Sequence, residues 1–296
     1  MKRQPFRRIR RRAMSSLGIA LSGLACRGGP ARIRRFGQWF GELHYWLSWP
    51  SRRKLQNDMA RALDMPTDKA GSILHQAFRD NDRAVFEIVA LAHRACDPKS
   101  LIDGVTIEDM ALLDNVGSGG AILLGMHMGN GILMAARLAH AGYPVHVVFR
   151  DPRRLPPGLL ARSLDRAGCR PLPLDRANPT RSFRQMLKVL AGGGMLYVLM
   201  DQANSGEGAE REFLGKTLRM PTGIPALALR TGIPVIPIHA ESAQPNWRFR
   251  VHPPLKAESS EEMLDAMVAS MQRQILTYPE LWSWHHRRWK RYHFAS

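Results

Sequence analysis

Residues 121–142, AILLGMHMGNGILMAARLAHAG, join three kinds of chain in one short span. The apolar run Ala121–Leu124 has the length and bulk of a buried strand. Gly125, Gly129 and Gly131 then enclose His127 in a turn, and ILMAARLAHAG reads as a helix that stops at a glycine. Strand, glycine-rich turn and helix in that order make the first half of a β-α-β unit. The same alternation continues downstream. VHVVF, MLYVLM, IPVIPIHA and WRFRVH read as strands, separated by the helix-like PGLLARSLDRAG, RSFRQMLKVLAGGG and TGIPALALRTG. That order predicts an α/β fold with a largely parallel central sheet flanked by helices.

In such sheets ligands bind beyond the carboxyl ends of the strands, where loops enter the next helix. His127 falls there. The glycines around it permit tight turning and close approach of a substrate to backbone N–H groups, and a following helix N-terminus disfavours an imidazolium. Taken alone, one histidine in a glycine turn reads equally well as a structural or capping residue.

Upstream the pattern differs. RRKLQNDMARALDM and TDKAGSILHQAFRDNDRAVFEIVALAHRAC carry apolar residues at three- and four-residue spacing, which predicts helices, the second capped by Thr67 or Asp68. The chain therefore divides into a basic and apolar segment 1–50, a helical region 51–103 and an α/β part 104–296. In the first segment Lys2, Arg3, Arg7, Arg8, Arg10, Arg11 and Arg12 precede MSSLGIALSGLAC, and FGQWFGELHYWLSW follows at 36–49. The first apolar stretch is short for a span, and Arg27, Arg32, Arg34 and Arg35 after it argue against a leader for export. Both stretches read as helices lying on an anionic membrane, as part of an N-terminal helical membrane-associating region.

With 43 Lys and Arg against 25 Asp and Glu, the 296-residue chain has a net charge of +18, and 45% hydrophobic residues permit a full core. An acidic partner is expected. Nucleic acid is disfavoured, because the arginines cluster beside apolar and Trp-rich segments and no common nucleic-acid module is present. Cys26, Cys96 and Cys169 lack metal spacing, so no metal site, no cofactor and no disulfide framework is expected, in keeping with a reducing compartment.

Three further blocks fall at strand ends or in the loops after them: FRDPRR at 149–154, MDQANSGEG with REFLGKTLRMPTGIPALALRTG at 200–232, and the closing PELWSWHHRRWKR. With GMHMGNGI, FRDNDRAVFEI and IPVIPIHA, this ordered set resembles the late acyltransferases of lipid A biosynthesis, the lauroyl and myristoyl transferases of the lysophospholipid acyltransferase superfamily. The resemblance covers nearly the whole chain. It implies transfer of an acyl group from an acyl-carrier-protein or coenzyme A thioester to a hydroxyl of a membrane glycolipid, on the cytoplasmic face of the inner membrane.

On that resemblance His127 is the general base and Arg150 the guanidinium of the second block, suited to a phosphate of donor or acceptor. Asp201 is a site acid, with Gln202 beside it. Gly129, Asn130 and Gly131 lie at an oxyanion or substrate site, and Gly215, Thr222 and Gly223 shape acyl and headgroup pockets. Each also has a structural reading: Arg150 as a surface residue, Asp201-Gln202 as a loop cap, Gly215 to Gly223 as packing. Trp282, Trp284 and Trp289 suit either a membrane interface or the locking of the last helix onto the body.

One position departs from the family pattern of His, four residues, then Asp or Glu: residue 132 is Ile. Three explanations follow. Asp201 or Asp151 replaces the missing acid; a backbone carbonyl orients His127; or the chain has kept the fold as an inactive lipid- or carrier-binding homologue. An altered site also admits a transferase of an unusual acyl or aminoacyl group.

Overall fold

A computed structural model describes residues 20–116, 119–150, 155–175, 177–202 and 208–284. Helix α1 is described over residues 20–26 and leads into α2 (Gly29–Leu47), α3 (Trp49–Ala62) and α4 (Thr67–Leu91). Short helices α5 (Pro98–Ile102) and α6 (Ala111–Asp114) flank strand β1 (Thr106–Glu108). The remainder runs β2 (Ala121–Gly125), α7 (Gly131–His140), β3 (Val145–Phe149), α8 (Leu159–Arg166), β4 (Arg170–Pro173), α9 (Pro179–Ala191), β5 (Met195–Leu199), the hairpin β6 (Ala209–Phe213) and β7 (Lys216–Met220), α10 (Gly223–Thr231), β8 (Val235–Ser242), β9 (Arg248–Val251) and α11 (Ser260–Thr277). A 3-10 turn at Pro279–Leu281 closes the described chain.

The α/β expectation holds. Seven strands form one sheet in the order β1-β9-β8-β2-β5-β3-β4; β8, β2, β5, β3 and β4 are parallel, and β9 runs antiparallel to β8. Every residue of β2 is buried, as its unbroken apolar run requires when both faces are covered. The chain leaves β2 toward β3 but leaves β5 back toward β8. Right-handed crossovers in opposite directions put the following helices on opposite faces and open a crevice between the carboxyl ends of β2 and β5.

Two elements escape the sequence pattern for physical reasons. Strand β4 contains Pro171 and Pro173, tolerable because it is an edge strand bonded only to β3. The hairpin β6–β7 turns at Leu214-Gly215, with φ of 53° and 72°; two left-handed residues are what a two-residue turn of this kind needs. The cap of α4 also differs from expectation. Pro66 holds the N-cap position without a side-chain bond, and Thr67 and Asp68 lie inside the first turn.

The helical part packs closely. A Cβ at Gly37 would lie 2.6 Å from the Arg83 Cα, and one at Gly41 2.6 Å from the Arg79 Cα, so these glycines let α2 and α4 touch backbone to backbone. On α4, Arg83 and Glu87 are each 1% exposed and paired at 2.9 Å. Arg83 Nη1 also donates to the Ala243 carbonyl at 2.6 Å, tying α4 to the loop after β8. One hydrophobic core runs from Ala25 to Trp284.

Candidate active site

The loop between β2 and α7 is built from short backbone bonds. Met128 N–H donates to Met126 O at 2.7 Å, which folds the chain tightly about His127. Gly129 has φ of 62°, and a Cβ there would sit 2.7 Å from that of Ala240. Asn130 then caps α7: its Oδ1 accepts from Leu133 N at 3.2 Å, while its Nδ2 donates to Glu87 Oε2 at 2.9 Å. Trp247 Nε1 donates to the same Glu87 oxygen at 2.6 Å.

Asp201, two residues past β5, is wholly buried, and its carboxylate accepts from His127 and Trp282 among the described residues. The His127 Nδ1 lies 2.7 Å from Oδ1; the His127 N–H donates to Oδ2 at 3.1 Å; the Trp282 indole N–H donates to Oδ2 at 2.8 Å. An ionised carboxylate only accepts, so Nδ1 carries the proton and Nε2 presents a lone pair. The amide of Gln202 lies 3.2 Å from that Nε2, donating to it in the tautomer so fixed. The imidazole is 24% exposed, so Nε2 sits where a buried dyad meets the surface.

The position that lacks its acid is filled by packing. Ile132, on the first turn of α7, is half-buried against the core, and the carboxylate beside the imidazole comes from a different strand. Asp151 lies outside the described residues.

The glycines of the loop make room chiefly for protein. A Cβ on Gly131 would land on the Tyr197 hydroxyl, and one on Gly125 would enter the Tyr197 ring. Burial and the charge of Asp201 both raise the Tyr197 phenol, which stays neutral beneath the loop. Gly131→Ala is therefore expected to cost about 1–3 kcal/mol in chemical denaturation, from overpacking. Tyr197→Phe should restore more of that loss than of the loss from Gly125→Ala, whose nearest clash is with a ring carbon at 2.3 Å; equal rescue of both would refute this packing.

The other sequence-predicted residues separate. The Gly129 N–H is engaged by Leu281 O at 3.0 Å, and Asn130 is fully buried with both ends of its amide bonded to protein. Arg150 is exposed just beyond β3, at the same edge of the sheet. Gly215 forms the β6–β7 turn, and Thr222 and Gly223 begin α10, whose start lies toward that edge because the helix leads into β8.

Sequence reasoning missed the segment Leu281–Ser283 as part of the site. Ser283 N–H donates to His127 O at 2.9 Å, and Met128 and Trp282 form an antiparallel bridge. Trp282 and Trp284 are 1% and 2% exposed, so for these two the locking alternative holds and the membrane-interface alternative does not; Trp289 lies outside the described residues. The alternation of Trp282 and Trp284 about Ser283 was the available signal.

Among the described residues no group of three or more His, Cys, Asp or Glu is placed to hold a metal ion. The three cysteines are buried thiols, and burial pushes Cys96 and Cys169 up to about 12.

Known proteins similar to this chain include acyltransferases. A phosphatidylinositol mannoside acyltransferase of Mycobacterium tuberculosis (strain CDC 1551 / Oshkosh) is 26% identical over 242 residues, covering 77% of this chain and 74% of the relative. One from Mycolicibacterium smegmatis is 25% identical over 240 residues, covering 77% and 76%. Residues 1–291 match the family described as bacterial lipid A biosynthesis acyltransferase, and the chain belongs to that family.

Proposed function

We propose that this acyltransferase moves an acyl group from a thioester, on acyl carrier protein or coenzyme A, to a hydroxyl of a glycolipid such as a lipid A precursor. His127 is the general base and Asp201 the acid that orients it. The observation that carries the reading is the 2.7 Å contact between His127 Nδ1 and the buried Asp201 carboxylate, which leaves Nε2 as the acceptor at the exposed end of the ring.

In the reaction Nε2 takes the proton of the acceptor hydroxyl as its oxygen attacks the thioester carbonyl carbon. The carbonyl oxygen becomes an oxyanion; when it collapses, the C–S bond breaks and the imidazolium returns the proton to the thiolate. Asp201 stabilises the imidazolium in between. Gln202, whose amide is 3.2 Å from Nε2, yields that place to the hydroxyl and becomes a donor for the oxyanion. Arg150 at the end of β3 is suited to a phosphate of either substrate. The test is an assay of the purified chain with radiolabelled carrier-protein and coenzyme A thioesters and a glycolipid extract. Transfer by His127→Ala at the wild-type rate would end this reading.

The acceptors in the names of the mycobacterial relatives are glycolipids, which favours a membrane-bound acceptor here. No helix among the described residues is long and apolar enough to cross a membrane, so we assign contact with the cytoplasmic leaflet of the inner membrane to a surface of α2 and α3 and to the basic residues preceding them. Trp39, Trp46 and Trp49 are 59%, 59% and 52% exposed, and Leu43 and Leu47 continue the stripe. Arg52 lies over the rings of Tyr45, Trp46 and Trp49 at 4.2, 5.1 and 4.9 Å, and Arg53 over Trp49 at 5.0 Å. Exposed rings with the exposed Arg53 beside them match an anionic interface, while Arg52, itself buried, braces the rings. Changing all three tryptophans to Ala should weaken binding to phosphatidylglycerol vesicles about tenfold or more in a sedimentation assay. Undiminished binding would remove this surface from consideration.

A further inference from the structure

We propose that Trp282 is a positioning residue for the transfer step: its indole N–H fixes the second oxygen of Asp201, so that the first meets His127 Nδ1. This rests on the reading of His127 and Asp201 as base and orienting acid. Three observations carry it. Trp282 is 1% exposed, and its N–H is 2.8 Å from Asp201 Oδ2, on the oxygen that the His127 backbone N–H also reaches. The ring is itself held edge-on, 4.7 Å from Trp284 and 6.0 Å from Phe213 between centroids. Its own segment grips the histidine loop on both sides, through Ser283 N–H to His127 O at 2.9 Å and Gly129 N–H to Leu281 O at 3.0 Å.

A carboxylate can rotate about its Cβ–Cγ bond; with Oδ2 held by two donors, it cannot do so without losing both. The indole therefore fixes the direction of the Oδ1 lone pair and, through it, the tilt of the imidazole. It also draws charge from Asp201. Among the groups around the dyad, Tyr197 is neutral under the loop, Arg150 lies exposed beyond β3, and Asp80 on α4 is raised chiefly by burial, with Glu280 of the closing turn adding a little.

Trp282→Phe keeps the ring and removes the donor. With less of its charge dispersed, Asp201 holds a proton on His127 more firmly, so the acid limb of the kcat/KM profile should move to higher pH, by about half a unit. At the plateau kcat should fall roughly tenfold, with KM little changed. Trp284→Phe is the control: it removes an indole bond to Pro279 O at 2.7 Å in the same cluster, and should lower Tm without moving the limb. In the wild-type chain the Trp282 indole proton, followed by NMR, should titrate with the midpoint of that limb, a readout that needs no variant to fold.

An unmoved limb with kcat within about twofold of wild type, equal shifts from both tryptophan variants, or an indole signal flat across the limb would each overturn the role of Trp282. Activity surviving in His127→Ala would instead overturn the underlying reading. Loss of activity in His127→Ala together with an unmoved limb in Trp282→Phe would leave that reading in place and remove only this inference.

Discussion

Asp201→Asn should lower kcat by about ten-thousandfold, the size of effect seen when a triad carboxylate becomes an amide. The reasoning is local. The carboxylate accepts from the His127 ring, the His127 backbone and the Trp282 indole, with no donor of its own. An amide offers one oxygen and one NH2. If its oxygen serves the backbone and indole donors, its NH2 faces Nδ1, and the ring must place its proton on Nε2, where a base needs a lone pair. On the proposed mechanism His127→Ala removes the base itself and should cost as much, and the double variant no more than either single change, because residues acting as one unit do not add. Single-turnover rates with a carrier-protein thioester at saturating glycolipid would show this; additive losses would mean that the two side chains work separately.

The second large effect is expected away from the reacting atoms. Glu87→Ala should cost about 3–5 kcal/mol of unfolding free energy, because it strands the Arg83 guanidinium in the interior. It also removes the acceptor of Asn130 and Trp247. Glu87 thus joins α4 to the first turn of α7 and to the strand region around β9, and a buried pair of this kind is far more damaging to break than to replace. Arg83→Met combined with Glu87→Leu should therefore be less destabilising than Glu87→Ala alone in urea titrations. A double variant worse than the single one would show that the pair's hydrogen bonds to Asn130, Trp247 and Ala243 outweigh its desolvation.

The sheet was legible because β2, β3, β5 and β8 are short apolar runs bounded by glycine, proline or polar residues, a pattern dictated by burial on both faces. What sequence could not convey is pairing. Neighbouring strands β2 and β5 are separated by 69 residues, and their adjacency brings Asp201 to His127. Ile132 was visible as a departure from the family pattern, and Asp201 was one of the two acids nominated to replace it. No periodicity favours Asp201 over Asp151, because both follow strands. The role of Leu281–Ser283 was harder still to read, since its contacts with the histidine loop use main-chain atoms and leave no trace in residue type. The glycines misled in an instructive way: their small size is explained at Gly125 and Gly131 by Tyr197, a residue in the middle of an unremarkable strand.

The grip of Leu281–Ser283 on the loop at His127 has a consequence in time. During synthesis at about 5–20 residues per second, Trp282 follows His127 by roughly 8–30 s. The sheet strands β2, β3 and β5 can pair in that interval, but the loop lacks its third side and Asp201 lacks its indole until the late segment has left the ribosome and folded back. In the growing chain the loop at His127 thus stays open on one side, and its final shape arrives with the late segment.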